Sequence, residues 1–322
     1  MISLVIFLFL LFAFFTVFLS IKLSYYADLL SKTSKVSKAL IGGILLAGVT
    51  ALPEFVTCLS AVFLANPALA LGDVLGSNFF NIFIIAFFDL FFLKKFMFRK
   101  LSKNHYIVYI LLIVNYIFMY LFAHDLLSLS LLGIGLPSLI IFITYFIYVR
   151  KIASNDSEDL EKDSSKNVKN LPLKLFIAAL LMVISSISLT FLVNKISLMY
   201  PAFSSSLIGA ILLGITTSLP EVITFYTLIT LNNYDLAQAN IIGSNLFNLF
   251  VLGVSDFFLK GSSIYTYFDN DSLLILKLGI LATSLCFIHH FKKFNSKKFL
   301  YLLPSLAIVF CYLIFWGLKF LR

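Results

Sequence analysis

The chain has 322 residues, of which 61% are hydrophobic and 12% are charged, and its mean hydropathy is +1.03. This composition excludes a soluble globular protein and indicates an all-α polytopic membrane protein. The formal net charge of +9 would suit a nucleic-acid-binding protein, but the basic residues follow a pattern of membrane topology instead.

Apolar windows of about 20 residues predict ten transmembrane helices. In chain order they lie near 2–21, 39–65, 68–93, 105–122, 126–149, 171–193, 203–230, 235–259, 271–290 and 299–318. The first window lacks a preceding basic segment and a clear small-residue cleavage site, so we expect a retained helix rather than a signal peptide. Three isolated cysteines are expected to be small core residues: Cys58, Cys286 and Cys311.

Lysine and arginine are concentrated in alternate loops. Of the 24 basic residues, 19 lie in the first, third, fifth and ninth connections between predicted helices. The positive-inside rule therefore predicts that these loops, including a linker at 151–170, are cytoplasmic and that both termini lie outside. We expect a multi-pass protein of the cell membrane. Its basic charges would meet anionic lipid headgroups, and they imply neither nucleic acid nor an obligate protein partner.

The chain contains an internal repeat. A shift of 167 residues aligns 41–90 with 208–257 without a gap and gives 21 identities in 50 positions. Such self-similarity marks a duplicated unit. Each copy holds five predicted helices, an odd number, so the second copy must enter the membrane in the opposite orientation. We therefore predict a 5 + 5 inverted repeat, with one five-helix unit at 1–150 and the other at 171–322.

Two carboxylates occupy matched positions in this repeat, inside apolar segments. Glu54 and Glu221 each belong to a motif of the form Thr-x-Leu-Pro-Glu-x-x-Thr. A carboxylate at bilayer depth costs roughly 3 kcal/mol or more, so buried ionisable residues are usually functional. The alternative is that both are packing acids kept protonated or paired with a basic residue, but no lysine or arginine falls at midplane depth in the predicted helices.

Proline inside each motif removes a backbone donor, which predicts free carbonyls at Val49 and Thr216. Broken helices of this kind line the midplane sites of transporters. A second repeated signature adds neutral oxygen ligands one helical turn apart: Ser77 with Asn81, and Ser244 with Asn248.

Carboxylate, amide, hydroxyl and carbonyl oxygens suit Ca²⁺, whereas neither signature offers the imidazole or thiolate pair that zinc, copper or iron would need. We expect no cofactor, only transported ions. Two glutamates carry a charge that one Ca²⁺, two Na⁺ or two protons would neutralise, and such competing occupancy predicts antiport. Three further acids have open roles: Asp73 in the ion path or at a helix cap, and Asp89 and Asp256 as interfacial anchors or path residues.

At these residues the chain resembles the sodium/calcium exchanger family of the cation/Ca²⁺ antiporter superfamily, whose two alpha-repeats carry a Thr-Ser-x-Pro-Glu type motif followed by Gly-Ser-Asn. The resemblance implies Ca²⁺ between Glu54 and Glu221, aided by backbone oxygens at Thr50 and Thr217. It also implies Na⁺ sites at neighbouring oxygens: Ala47, Thr50, Ser77, Gly214, Thr217, Ser218 and Ser244.

The chain departs from the family pattern in two places. Ala51 stands where a serine is common, and Asn81 and Asn248 are both amides where many relatives have one aspartate. Asn248 argues against potassium dependence, and the altered polar set leaves the counter-ion open. We therefore predict a Ca²⁺/Na⁺ antiporter, with a Ca²⁺/H⁺ antiporter as the alternative, because two close carboxylates in a dry site also favour proton binding.

Two other classes fit less well. An intramembrane enzyme would need HExxH, or Gly-x-Gly-Asp, whereas the chain has Leu-Ala-Leu-Gly-Asp at 69–73 and its four histidines lie near helix ends. We therefore expect no enzymatic activity. A passive channel would show a current without counter-ion exchange.

Overall fold

The computed structural model describes residues 2–33, 51–91, 105–127, 129–131, 133–155, 170–232, 234–292 and 298–320. Its helices are α1 (Ile2–Thr33), α2 (Leu52–Phe63), α3 (Pro67–Phe91), α4 (His105–Ala123), α5 (Leu136–Asn155), α6 (Leu171–Met199), α7 (Ser205–Thr217), α8 (Leu219–Thr230), α9 (Tyr234–Phe258), α10 (Asn270–Lys292) and α11 (Lys298–Phe320). Short strands β1 (Ser130–Leu131) and β2 (Ile134–Gly135) pair before α5.

The helices confirm the predicted class, an all-α polytopic membrane protein. Within the described residues, seven helices are long and apolar enough to cross a membrane, and α7 with α8 makes an eighth if the bent pair is one span. Two shorter apolar helices, Leu52–Phe63 and Leu136–Arg150, fall inside the second and fifth predicted spans. Helices suit a bilayer because they satisfy every backbone polar group within one segment.

The fifth span was predicted to begin near residue 126, but its helix begins at Leu136. The preceding leucines are apolar yet exposed, and the chain turns between β1 and β2 through Gly133, whose φ is +87°. Glycine adopts this left-handed conformation without a steric penalty, so the turn forms inside an apolar run. Hydropathy alone therefore placed this helix start too early.

The seventh span is broken beside the motif that the two repeats share. Helices α7 and α8 meet at Ser218 with a bend of 44°. Pro220 lies in the first turn of α8, and Pro53 occupies the equivalent place in α2. Proline is tolerated there because the first amides of a helix lack intrahelical partners anyway. The free carbonyl predicted at Thr216 is wrong, since it accepts the backbone N–H of Ser218; Val49 lies outside the described residues.

Helices α3 and α9 form the centre of the molecule. In each, 72% of the apolar window is buried, against 17% in α1, which packs along α6. Helix α3 lies very close to α7, because a Cβ built on Gly76 would fall 2.4 Å from the Ala210 Cα. Small residues permit such backbone contact between membrane helices. Part of α7, Gly209–Gly214, is a π-helix.

Contacts repeat across the molecule at the spacing of the sequence repeat. Asp89 of α3 accepts a hydrogen bond of 2.7 Å from Ser305 of α11, while Asp256 of α9 accepts one of 2.7 Å from Ser138 of α5. Asp256 lies 167 positions after Asp89, and Ser138 lies 167 positions before Ser305. The same contact therefore occurs in both halves, as expected for an inverted repeat. The boundaries of the linker stay a prediction, since 156–169 fall outside the described residues.

Candidate cation site

Glu54 and Glu221 lie in the first turns of α2 and α8, at the two matched helix breaks. Their side chains are buried, with exposures of 1% and 2%, and the two carboxylates are close enough to interact electrostatically. The positive end of each helix dipole faces its own glutamate, which offsets part of the cost of a buried carboxylate. The convergence of the two acids on one cation stays a prediction, which their burial at matched helix breaks supports.

Most oxygens of these two carboxylates have no hydrogen-bond donor in the part of the chain that the structure describes. Neither oxygen of Glu54 has a partner among the described residues. The Thr217 hydroxyl lies beside Glu54 but donates to the Leu213 carbonyl at 3.0 Å. In Glu221, Oε1 accepts only a long bond of 3.5 Å from the Ser244 hydroxyl, and Oε2 has no described partner. These oxygens are therefore available to a cation.

Four asparagines form a hydrogen-bonded network where α3 meets α9: Asn78, Asn81, Asn245 and Asn248. The amide groups of Asn78 and Asn245 each donate to the other's backbone carbonyl, at 3.0 and 3.1 Å. A carbonyl can only accept, so these bonds fix which end of each amide is the NH₂ group. The amide oxygen of Asn245 then accepts from Asn81 at 2.8 Å, and that of Asn78 accepts from Asn248 at 3.1 Å.

The network determines what Asn81 and Asn248 present to the site. Each uses its NH₂ group on the neighbouring asparagine, and each side-chain oxygen is buried without a partner in the described part of the chain. Both oxygens are therefore free to accept, as a cation ligand must be. Sequence reasoning placed Asn81 and Asn248 at the site but missed Asn78 and Asn245, although both lie in the repeated Gly-Ser-Asn triplet three residues earlier.

Of the remaining predicted residues, three lie in the described part of the chain and two do not. Ser77 donates to the Gly214 carbonyl at 3.1 Å, which joins α3 to the π-helical end of α7. The Ser218 hydroxyl is buried at the break without a described partner. Ala47 and Thr50 lie outside the described residues.

The site is a cluster of hard oxygen atoms. The described residues contain no group of three or more His, Cys, Asp or Glu side chains placed to hold a metal. In the predicted set, the two glutamates supply the charge and the other oxygens are neutral. Such a mixture suits Ca²⁺ or Na⁺ better than a transition metal. Buried polar groups without partners are rare in folded proteins, which marks these oxygens as unusual.

Asp89 and Asp256 do not belong to this cluster. Asp89 accepts from Tyr301 and Ser305, and Asp256 accepts from two hydroxyls and two backbone amides. Every oxygen of both acids is occupied by a donor from a neighbouring segment. Of the two roles left open by the sequence, the contacts favour anchoring.

Comparison with known proteins agrees with this arrangement. The sequence model of the family described as "sodium/calcium exchanger protein" matches residues 4–151 and 171–321. The chain is 24% identical over 279 residues to the inner membrane protein YrbG of Escherichia coli, covering 82% of this chain and 83% of that protein.

Two solved structures share the fold. An H⁺/Ca²⁺ exchanger, CAX, has a TM-score of 0.67 and 12% identity, covering 98% of this chain and 88% of its own. The sodium-calcium exchanger NCX_Mj has a TM-score of 0.60 and 20% identity, covering 98% of each chain. At 12% and 20% sequence identity, this similarity shows a shared fold.

Proposed function

Because the chain belongs to the sodium/calcium exchanger protein family, a family of transporters rather than enzymes, we propose that it is a secondary active antiporter exchanging Ca²⁺ for Na⁺. One observation carries the proposal: two buried glutamates from matched helix breaks face one site with nearly all their oxygens unpartnered among the described residues. A buried charge without a partner is costly, and a bound cation removes that cost.

Exchange follows from shared ligands. The charge of Glu54 and Glu221 is neutralised by one Ca²⁺ or by two Na⁺, so the two ions compete for the same oxygens. We assign Ca²⁺ to the two carboxylates and Na⁺ to the surrounding neutral oxygens, with Ala47 and Thr50 completing the first half of the set. Inverted halves can open the site to either face in turn, which couples the two fluxes.

The distribution of basic residues supports an orientation in the membrane. We propose that the loops after α3 and α10 are cytoplasmic, since they hold dense lysine and arginine. The termini and the turn between α2 and α3 then lie outside. Protease or labelling access to the two termini on intact cells would establish this orientation.

Transport in vesicles tests the proposal. Vesicles loaded with Na⁺ should accumulate external Ca²⁺ when an outward Na⁺ gradient is imposed, and Glu54→Gln or Glu221→Gln should reduce this uptake by roughly 100-fold. Thr227→Val is a suitable control, because its exposed hydroxyl bonds only a carbonyl of its own helix. Uptake that ignores the Na⁺ gradient, or survives both glutamate variants, would contradict the proposal.

A second candidate, Ca²⁺/H⁺ exchange, draws support from the likeness of fold to an H⁺/Ca²⁺ exchanger and from Ala51, which removes one hydroxyl of the family's usual set. The same two carboxylates would then carry protons in exchange for Ca²⁺. A pH gradient imposed in Na⁺-free buffer separates the candidates, since only proton coupling would drive Ca²⁺ uptake there.

A further inference from the structure

A third buried carboxylate breaks the symmetry of the two halves. Asp73 of α3 has no measurable exposure and precedes Ser77 by one helical turn and Asn81 by two. Residues four apart share a helix face, so Asp73 continues the row of site residues along α3. The matched position in α9 is Asn240, which is neutral and only partly buried.

The contacts of Asp73 leave one oxygen unused. Its Oδ2 lies 2.6 Å from the Thr57 hydroxyl of α2, whereas Oδ1 is buried without a partner in the segments described. No ion pair from the described residues offsets its charge. The same Thr57 hydroxyl lies 3.1 Å from the Glu54 carbonyl oxygen, so Asp73 and Glu54 contact one hydroxyl. Two carboxylates with unpartnered oxygens therefore lie near one another on this side of the site.

The other half offers no equivalent. The Thr57 hydroxyl contacts both the Glu54 carbonyl of its own helix and Asp73. Among the described residues, the matching Thr224 hydroxyl bonds only its own helix, at the Pro220 carbonyl, at 3.0 Å. Thr57 lies one turn beyond Glu54 along α2, toward the turn at 64–66 that joins α2 to α3. The additional acid thus stands between the central site and the membrane face that carries this turn, and the opposite face has an amide at the corresponding place.

We propose that Asp73 and Thr57 form an additional subsite for a hard cation, Ca²⁺ or Na⁺, on this one side of the central glutamates. The subsite rests on the proposed exchange function. It holds an incoming or outgoing ion between Asp73 and Glu54, and it makes the protein bind cations more tightly from the face carrying the 64–66 turn. In the orientation proposed from the basic loops, that face lies outside the cell.

Sided transport measurements test the subsite, and the repeat supplies its own matched variants. Asp73→Asn places in α3 the amide that α9 already has, and Asn240→Asp does the reverse. Right-side-out and inverted membrane vesicles expose opposite faces, so the half-saturating concentrations of Ca²⁺ and Na⁺ are measured on each face. Asp73→Asn removes one charged contact with the ion. We expect it to raise the half-saturating concentration roughly tenfold at the outer face and to change it little at the inner face.

Asn240→Asp should lower the half-saturating concentration at the inner face. Because a folding defect cannot increase affinity, this variant tests the subsite even if Asp73→Asn folds poorly. A shift for Ca²⁺ alone, or for Na⁺ alone, identifies the ion that uses the subsite. Equal shifts on both faces, or none, in a chain whose unmodified form still exchanges ions would overturn the subsite. If the unmodified chain exchanges neither ion, the proposed function itself fails.

Discussion

At the scale of single residues, the proposed ligands Asn81 and Asn248 are held by two further amides. Asn78 and Asn245 occupy matched positions, and each is fixed by a backbone carbonyl of the opposite half. They in turn accept from the NH₂ groups of Asn81 and Asn248, and the oxygens of the latter two have no partner among the described residues. An asparagine free to flip would offer a donor to a cation half of the time, which would weaken binding.

Asn245→Ala should therefore weaken Ca²⁺ binding although residue 245 is not a ligand. Removal of its side chain takes away the acceptor that orients Asn81 and a donor to the Asn78 carbonyl, and each lost buried bond costs about 1 to 3 kcal/mol. Asn115→Ala is the matched control, since Asn115 is an equally buried amide bonded to Leu111 and Thr144 away from the site.

Both variants should lower the thermal stability of the purified protein by similar amounts, but only Asn245→Ala should raise the half-saturating Ca²⁺ concentration in transport. A similar rise in the Asn115 variant would show that the effect comes from general destabilisation. The measurements are a melting curve in detergent and Ca²⁺ uptake in vesicles.

The residues of the site were partly predictable. Glu54 and Glu221 were identified by a simple conflict, a charged group in an apolar repeat. The roles of Asn78 and Asn245 were not, because a side chain that bonds across the repeat has no signature until the contact between α3 and α9 is known. Asp73 was visible as an unmatched acid, but its bond with Thr57 depends on the packing of α2 against α3.

At the scale of helices, α3 and α7 are joined by glycines that allow their backbones to touch. A Cβ on Gly76 would lie 2.4 Å from the Ala210 Cα, and one on Gly209 would lie 2.4 Å from the Leu69 carbonyl oxygen. This contact brings Gly214 to Ser77 at the site. The position of one half's ligands is thus set by the backbone of the other half.

Gly76→Ala should separate these helices and impair transport. Because the obstructing atoms belong to the Ala210 backbone, the methyl group cannot be accommodated by a rotamer change, and overpacking of this kind costs about 1 to 3 kcal/mol. Gly279→Ala is the control, since a Cβ there has open space within 4 Å. Gly279→Ala should be neutral or slightly stabilising in its helix. Equal behaviour of the two variants would argue against the tight α3–α7 contact.

Helix positions were largely predictable, and the exceptions have physical causes. All ten apolar windows contain a helix or part of one, because long hydrophobic runs have few alternatives in a bilayer. The start of α5 was missed because exposed leucines beside Gly133 resemble a membrane span in composition. The π-helical segment Gly209–Gly214, which packs closely on α3, leaves no trace in hydropathy.

At the scale of the whole molecule, the two halves are tied together by exchanged carboxylates. Asp89 in the first half bonds α11 of the second, and Asp256 in the second half bonds α5 of the first. The 167-residue offset predicted the duplication, but not that each half would bind the last helix of the other. Asp89 and Asp256 lie near the C-terminal ends of α3 and α9, so these bonds connect the halves away from the proposed cation site.

The two anchors should respond differently to the same substitution. Each oxygen of Asp256 accepts one backbone N–H, from Ile264 at 2.6 Å or from Gly135 at 2.8 Å. Asp256→Asn would set an NH₂ group against one of these fixed donors and leave a buried conflict, which predicts a loss of about 2 to 3 kcal/mol in the free energy of unfolding.

Asp89 accepts only hydroxyls, from Tyr301 at 2.6 Å and Ser305 at 2.7 Å. A hydroxyl can rotate and accept a hydrogen bond instead, so Asp89→Asn keeps both contacts and should lose less than about 1 kcal/mol. Melting curves of the two variants in detergent, measured beside the unmodified protein, give the comparison. If Asp89→Asn destabilises the protein as much as Asp256→Asn, charge rather than donor geometry holds the halves together.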